Sequence, residues 1–273
     1  ANQGKYSIRA MCQVLQIHRS LIYRRMKCTQ KEKQPDPFCQ PVLESFHRSK
    51  QVYGARKIKA ELARQDLNLS RCRIRRIMKE HGCESVYTIK KYRAPKREVN
   101  ESATPNRLAR EFNQRAPLEV IVSDLTYLRV AQTWHYLCPV QDLFNREIIG
   151  WSIGAKKNGE LVKQAFLMSE YNLSEIQMFH SDRGGEFKNR LLEEMMEGFS
   201  WNRSLSRKGC PFDNAVIESL NHTIKTEFVR GRVFESLEQL KMEFFEYVHW
   251  YNHHRLHGSL SYHTPMELRK GVL

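Results

Sequence analysis

The sequence lacks the patterns that cross-link a small secreted domain or anchor a chain in a membrane. Its seven cysteines are odd in number and none stands in a Cys-x-x-Cys pair, so neither a disulfide framework nor a cysteine zinc knuckle is predicted. It has no apolar run of membrane-spanning length and no signal-peptide pattern. We therefore expect a cytoplasmic protein with no membrane partner.

Acidic residues are scarce in the first 100 positions, which hold 8 of them against 24 lysines and arginines. The rest of the chain is balanced, with 22 acidic and 21 basic residues. Positive charge concentrated in one part of a chain indicates a surface that binds nucleic acid. A solvated basic surface without a partner is the alternative, and the helical patterns of the same region favour DNA.

Residues 1–27 have the pattern of two short helices joined by a turn. Ser7 is placed to cap the first helix, and the second is expected over residues 18–26, with Leu21 and Ile22 facing inward. In helix-turn-helix proteins the second helix lies in the DNA major groove. An ordinary pair of packed helices would show the same pattern, and the positive charge favours DNA binding.

A second helical module is predicted over residues 42–88, after a proline-containing linker at 28–41. Its last helix follows a capping Ser70 and ends at Gly82. A basic connector at 89–112 then leads into the remaining chain. With 273 residues and 41% hydrophobic content, the chain can form one sizeable core beside one or two small modules.

Basic and polar residues of both modules, of the connector and of a later loop are the predicted DNA contacts. Such side chains bind backbone phosphates and fix the position of a protein on the duplex. The residues are Arg19, Ser20, Tyr23, Arg24, Arg56, Lys57, Arg71, Arg73, Arg75, Arg76, Lys90, Lys91, Arg93, Arg207 and Lys208.

Three acidic residues beyond the connector stand in settings that suit metal binding. Asp124 lies in an apolar run that predicts a buried strand, Asp182 follows another apolar segment, and Glu218 begins a predicted helix. A buried unpaired carboxylate is costly, so Asp124 requires a cation or another partner. Carboxylate oxygens suit Mg²⁺ or Mn²⁺, and two such ions can stabilise both the attacking and the leaving oxygen at a phosphodiester.

The runs that contain these residues resemble the DDE catalytic core of IS3-type insertion-sequence transposases, which is similar to retroviral integrase. The runs are Ser-Asp-Leu-Thr-Tyr at 123–127, His-Ser-Asp-Arg-Gly at 180–184, Pro-Phe-Asp-Asn-Ala-Val-Ile-Glu-Ser-Leu at 211–220 and Trp-Tyr-Asn-His-His-Arg-Leu-His-Gly-Ser-Leu at 250–260. The resemblance implies that Asp124, Asp182 and Glu218 are catalytic and hold two Mg²⁺ or Mn²⁺ ions per active site.

The strand pattern and the resemblance together predict an α/β fold. We expect an RNase H-like mixed five-stranded sheet with flanking helices, preceded by all-α helix-turn-helix modules. The catalytic core is expected over 113–230 and a C-terminal helical extension over 231–273. The strands are expected at 120–130, 134–141, 147–153, 176–180 and 201–204.

Two further expectations depend on the resemblance. Lys225 lies two helical turns after Glu218 and hence on the same helix face, and the family pattern favours a phosphate contact over a solvated lysine. Glu186 departs from the family, whose members commonly have glutamine at this position of the motif. It places an additional carboxylate near the site, and its role is open.

The function that the resemblance implies is that of a DNA transposase. It would bind the terminal inverted repeats of its element, cleave a strand and transfer the freed 3′-hydroxyl to target DNA on the bacterial nucleoid. Joining two ends predicts a dimer or larger assembly, in which the aromatic-rich C-terminal helix could cover its own core or that of a partner. A catalytically silent DNA-binding regulator and an RNase H-like nuclease are the alternatives.

Overall fold

The computed structural model describes residues 6–30, 36–88, 105–112, 116–207 and 210–271, with the backbone alone for 25–30 and 211. Among these residues no helix is both long and apolar enough to span a bilayer. Four predicted DNA contacts, Lys90, Lys91, Arg93 and Lys208, lie outside the described residues.

The N-terminal region is a hairpin of two helices with very little core. The Ser7 hydroxyl caps the first helix, as predicted, by accepting a hydrogen bond from the backbone N–H of Ala10 at 3.2 Å. Val14 is 82% exposed and Leu21 is 59% exposed, so the prediction that Leu21 faces inward is wrong. Two short helices offer too few apolar neighbours to cover each other. The helices are α1, Ile8–Val14, and α2, Arg19–Gln30.

The second module has three helices around a core of its own. Ser70 caps its last helix through a hydrogen bond from the N–H of Arg73, and Gly82 ends the helix at a φ of 65°, a conformation that favours glycine. Ile58 and Ile74 are fully buried between the helices. The helices are α3, Cys39–Arg48; α4, Ala55–Ala63; and α5, Arg71–Glu80.

A mixed sheet of six strands follows. The strands are β1, Val120–Ser123; β2, Thr126–Val130; β3, Thr133–Asp142; β4, Ile148–Gly154; β5, Met178–Ser181; and β6, Asn202–Leu205. The order across the sheet is β2-β3-β1-β5-β6, with β4 on the other side of β3. β3 is antiparallel to its neighbours, whereas β1, β5 and β6 are parallel.

The first predicted strand, 120–130, is divided at Asp124 and Leu125, and this division accounts for six strands instead of five. β1 and β2 pair with different ends of β3, with Ile121 opposite Asp142 and Thr126 opposite Leu137. The predicted fold class, an RNase H-like mixed sheet with flanking helices behind all-α modules, is confirmed. The division leaves Asp124 at the carboxyl end of a short buried strand.

Helices cover both faces of the sheet. The side chains of Val120 and Val122 face one core and that of Ile121 faces the other, as strand alternation requires. α6, Gly159–Leu167, and α7, Arg190–Gly198, pack on the Ile121 side. The other side is covered by α8, Ala215–Ile224, a π-helical turn at Lys225–Val229, and α9, Leu237–His253; α10, Pro265–Arg269, ends the fold.

The second module is packed onto the domain that contains the sheet, since its buried residues are continuous with those under α8 and α9. The Tyr53 hydroxyl accepts from the N–H of Leu256 at 2.7 Å and donates to the carbonyl of His254 at 3.2 Å. Arg64 forms an ion pair with Glu267 at 2.8 Å. The module and the C-terminal segment therefore hold each other in place.

Candidate active site

Asp124 and Asp182 are brought together by the parallel pairing of two strands. Ser123, the last residue of β1, is in register with Ser181, the last residue of β5. Asp124 and Asp182 directly follow these two strands. The carboxyl ends of neighbouring parallel strands lie at one edge of the sheet, so both carboxylates stand at this edge.

Glu218 reaches the same edge from α8. It lies in the first turn of the helix, and one turn later the Asn221 side-chain amide donates a hydrogen bond from Nδ2 to Oδ2 of Asp124 at 2.9 Å. This contact fixes the start of α8 beside the end of β1. The sequence analysis missed Asn221; its spacing of three residues from Glu218, on one helix face, is the signal that could have indicated it.

The carboxylates oppose each other's ionisation. Burial, the neighbouring Asp182 and, to a smaller extent, Glu218 raise the pKa of Asp124 to about 7. Burial and Glu186 raise the pKa of Asp182, although the N–H of Gly184 bonds to its Oδ1 at 2.9 Å. The pKa of Glu218 is raised by burial and by Asp182. Asp124 and Asp182 are partly buried and Glu218 is exposed, and like charges held together at this edge favour an added cation.

The residues present fit a hard divalent cation. Beside Asp124, the Oδ1 of Asn221 is buried and has no hydrogen-bond partner within the described part of the chain. Over the same residues, no three His, Cys, Asp or Glu side chains form a ready-made metal cage. Mg²⁺ does not require one, because it usually binds one or two carboxylates and completes its shell with water and substrate phosphate.

Glu186 belongs to the edge of this site. It lies in a 3₁₀ turn at Gly185–Phe187, is 7% exposed, and forms an ion pair with Lys157 at 2.8 Å. A Cβ atom at residue 184 would lie 2.5 Å from the Glu186 carboxylate, so only glycine allows this approach. Lys157, which the sequence analysis did not single out, offsets the additional charge.

Asp213, the acidic residue that precedes Glu218 along the chain, has a structural role. It is fully buried, and its carboxylate forms ion pairs with Arg110 at 2.6 Å and with Arg207 at 2.9 Å. The hydrogen bonds from Arg207 hold the pKa of this carboxyl well below its usual range. Arg207, predicted to contact DNA, is therefore already paired, although more than half of its side chain stays exposed.

The other predicted DNA contacts fall into two groups. On α2, Arg19, Ser20, Tyr23 and Arg24 are exposed, as are Arg56, Arg71 and Arg75 of the second module. The remaining residues have partners in the protein: Arg73 and Arg76 both bind Asp36, Lys57 lies half-buried over the ring of Tyr53, and Lys225 lies over the ring of Tyr127 at 4.1 Å.

Comparisons with known proteins agree with this geometry. Models described as "Integrase core domain" match residues 114–211 and 218–273, and one described as "HTH-like domain" matches residues 38–91. The chain is 32% identical over 268 residues to transposase InsF for insertion sequence IS3A of Escherichia coli strain K12, covering 94% of this chain and 92% of that protein. The same figures hold for transposase InsF for insertion sequence IS3 of Escherichia coli O111:H-.

A solved structure shows a more distant likeness. It is a cryoEM structure of the simian T-cell lymphotropic virus intasome in complex with PP2A regulatory subunit B56 gamma. The identity is 14% and the TM-score is 0.47, with 84% of this chain and 73% of that chain covered. The sequence relatives, by contrast, match over nearly the whole length of both proteins.

Proposed function

The chain belongs to the family of IS3-type insertion-sequence transposases, and we propose that it cleaves and joins DNA strands at Asp124, Asp182 and Glu218. Its relatives are transposases over nearly their full length, and its own chain combines an integrase-type core with a helix-turn-helix-like module. It is accordingly a DNA transposase. We further propose the roles of these residues, a requirement for divalent metal ions, and the terminal repeats as the DNA that is bound.

The observation that carries the proposal is the convergence of the three carboxylates: β1 and β5 end in register before Asp124 and Asp182, and Asn221, one turn after Glu218, donates a hydrogen bond to Asp124. Each of the three has a pKa raised by burial, and Asp182 raises the pKa values of both Asp124 and Glu218. Three acids from two parallel strands and one helix therefore share one small region. Carboxylates with perturbed pKa values cluster at functional sites, and within the described residues these three have no arginine partner of the kind that pairs Asp142, Asp213 and Glu227.

The chain's own residues hold and orient the reacting groups. Divalent cations bound at the site, two per active site, would supply Lewis-acid stabilisation of the attacking and leaving oxygens of an in-line displacement. Asp124, Asp182 and Glu218 provide the ligand oxygens, and Asn221 orients Asp124. Lys225 begins the π-helical turn that follows α8, and its ammonium group can hold a substrate phosphate.

Recognition of the terminal inverted repeats is assigned to the two basic modules. α2 exposes Arg19, Tyr23 and Arg24 on one short helix, which suits a helix lying in the major groove. Arg56, Arg71 and Arg75 are exposed on the second module. Because that module is packed on the core, DNA bound to it is held in a fixed relation to the carboxylates. Nucleoid DNA is the proposed location of this activity.

Assembly into a dimer or larger complex follows from the need to join two ends with one carboxylate set in each chain. In α9 the side chains of Phe244, Tyr247, Trp250 and Tyr251 pack within their own chain, whereas Phe245 is 60% exposed. Most of the aromatic residues considered for contact with a partner therefore cover their own core. Phe245 remains the candidate contact on this helix.

Cleavage of DNA that carries the element's own terminal repeat tests the proposal. The full chain should cut this DNA in Mg²⁺ or Mn²⁺ and not in EDTA, and should then join the freed 3′-hydroxyl to a second duplex. A duplex of the same length with a scrambled end is the control. Binding of the specific end without any cleavage in either metal would favour a catalytically silent regulator instead.

A further inference from the structure

One face of the β2–β3 hairpin carries three exposed side chains, Tyr127, Arg129 and Trp134, beside the partly buried Tyr136. Tyr127 is opposite Tyr136, and Arg129 is opposite Trp134 in the strand register, so all four side chains lie on one face. Along β2, Tyr127 and Arg129 alternate with buried neighbours. Trp134 is 54% exposed and Tyr127 is 39% exposed.

The aromatic side chains are held in place by their neighbours. The rings of Tyr127 and Trp134 meet edge to face, with centroids 5.2 Å apart and planes at 83°. The Lys225 ammonium lies 4.1 Å from the centroid of the Tyr127 ring. The Arg129 guanidinium is positioned by a hydrogen bond to Gln132 at 2.8 Å. The result is a fixed aromatic surface bordered by two cations.

This surface lies close to the catalytic carboxylates. Tyr127 follows Asp124 by three residues, or roughly 10 Å of extended chain. Lys225 follows Glu218 by seven residues, which is also roughly 10 Å along a helix. A distance of this size corresponds to about three nucleotides of stacked DNA. A DNA strand whose phosphodiester lies at the carboxylates therefore reaches the aromatic surface with its neighbouring bases.

We propose that Trp134 and Tyr127, with Arg129 and Lys225 at their border, form a stacking site for an unpaired base of the DNA end. The proposal rests on the proposed function, because it takes the DNA end to be the bound substrate. A single exposed tryptophan is ordinary on a protein surface. Here the two cations select a polyanion, and an aromatic ring beside cations is the combination by which proteins bind single-stranded nucleic acid.

Stacking on the indole would hold the last base pairs of the end open. Unpairing bases costs free energy, and a base that stacks on an aromatic ring recovers part of this cost. The strand would then be presented to the carboxylates as a single strand, with Lys225 and Arg129 bound to its phosphates. Trp134 is thus a positioning residue for DNA and takes no part in the chemical step.

Binding and photo-crosslinking of end DNA test the site. One duplex carries the element's end with its last three pairs mismatched, and the other is fully paired. The Trp134→Ala variant should bind the mismatched end roughly 5- to 100-fold more weakly than the wild type. Trp134→Phe should keep most of the affinity, and Phe199→Ala, an exposed aromatic beside the opposite edge of the sheet, should keep all of it. 5-Iodouracil in the unpaired nucleotides should crosslink to Trp134 or Tyr127.

Two results would overturn the stacking site. One is equal affinity of wild type and Trp134→Ala for the mismatched end, with crosslinks on other residues. The other is an unchanged affinity together with loss of the paired-end complex, which would make this surface a contact between copies of the chain. Cleavage of the same DNA by the wild type in Mg²⁺ is measured in parallel. Its absence would contradict the proposed function, whereas cleavage without an effect at Trp134 would contradict the stacking site alone.

Discussion

Two regions of this molecule hold acidic side chains in opposite electrostatic surroundings. At the edge of β1 and β5, Asp124, Asp182 and Glu218 face one another, and their pKa values are raised. At the far end of the α8 segment, Glu227 is bound by Arg255 through Nε at 2.8 Å and through the second guanidinium nitrogen at 2.6 Å. Burial alone would raise the pKa of Glu227, but Arg255 outweighs it and leaves the pKa lowered.

The difference shows that burial alone does not reveal what an acid does. Glu227 receives hydrogen bonds from Tyr87 and from Tyr247, so its lone pairs are used within the protein. It connects the second module, the π-helical turn after α8 and the C-terminal segment. Asp142 is intermediate, because burial still raises its pKa although Arg269 is bound to it. The three acids of the proposed catalytic site have carboxylates as neighbours, and these surroundings favour a cation from solution.

The largest expected effect concerns the three acids of the proposed catalytic site. Asp124→Asn, Asp182→Asn or Glu218→Gln should each lower strand transfer by roughly a thousand-fold or more, because each removes a carboxylate that holds the divalent cations, and these cations stabilise both reacting oxygens. The melting temperature should stay the same or rise, since a like-charge repulsion is relieved. Single-turnover strand transfer and thermal melting check this, with the exposed Glu197→Gln as the control. A melting temperature well below that of the control would assign the acid a structural role.

Neutralising Glu227 should lower the stability of the protein, in contrast to neutralising any of the three acids. Glu227→Gln leaves the buried Arg255 without its counter-charge, and breaking a buried ion pair in this manner costs about 3–5 kcal/mol of stability. Denaturant unfolding of the full chain measures the loss. The amide keeps the shape of the side chain, so packing is preserved and charge is the variable. A variant as stable as wild type would show that Glu227 does not hold the module on the core.

An intermediate effect is expected at Asn221. Asn221→Ala removes the hydrogen bond that orients Asp124 and should lower cleavage about 10- to 100-fold, as for other residues that orient metal ligands. Raising the Mg²⁺ or Mn²⁺ concentration should recover part of the loss, whereas it should not rescue Asp124→Asn. If metal concentration had no influence on the Asn221→Ala defect, an orienting role at the metal site would be excluded.

The smallest effect is on the pH dependence of stability in EDTA. The pKa of Asp124 is raised from 3.8 to about 7, so its protonated form stabilises the folded state, and this contribution is lost as the pH rises through about 7. Glu227 and Asp213 have lowered pKa values, and their contributions are lost as the pH falls below their ordinary range. When the free energy of unfolding is plotted against pH, Asp124→Asn should reduce its slope near neutral pH and leave its slope at acid pH unchanged. Equal slopes between pH 5 and about 8 in both proteins would contradict the raised pKa.

The sequence predicted the three acids because each lies in a local pattern that is visible without the fold. An apolar run around Asp124, a glycine turn after Asp182 and a helix start at Glu218 are local features, and the family resemblance joined them. The predicted strand 120–130 placed Asp124 within a strand, whereas the structure ends β1 before it and pairs β1 with β5. Asn221 was missed because its spacing from Glu218 indicates a shared helix face but does not reveal Asp124 as its partner. Lys157 was missed because it pairs with Glu186 from a different part of the chain.

The two helical modules show why charge and periodicity do not determine packing. Both were predicted as DNA-binding helix-turn-helix units from similar patterns. The apolar residues of α1 and α2 stay largely exposed, while those of α3 to α5 are buried and join the main core. A periodic pattern predicts that a helix has an apolar face, but it does not say what covers that face. The residue ranges given for the domains remain predictions.

Mn²⁺ binding is the most direct test of the central claim, which is that the mutually repelling acids, and not the arginine-paired ones, form the metal site. Free Mn²⁺ is measured by electron paramagnetic resonance as it is titrated into the full chain with end DNA at pH 8. Wild type and Glu197→Gln should take up the same amount of Mn²⁺. Asp124→Asn and Asp182→Asn should bind less Mn²⁺ than wild type, and the difference should equal the ions that these carboxylates hold. The fraction of protein bound to DNA should be unchanged. Equal uptake by wild type and both aspartate variants would contradict the account.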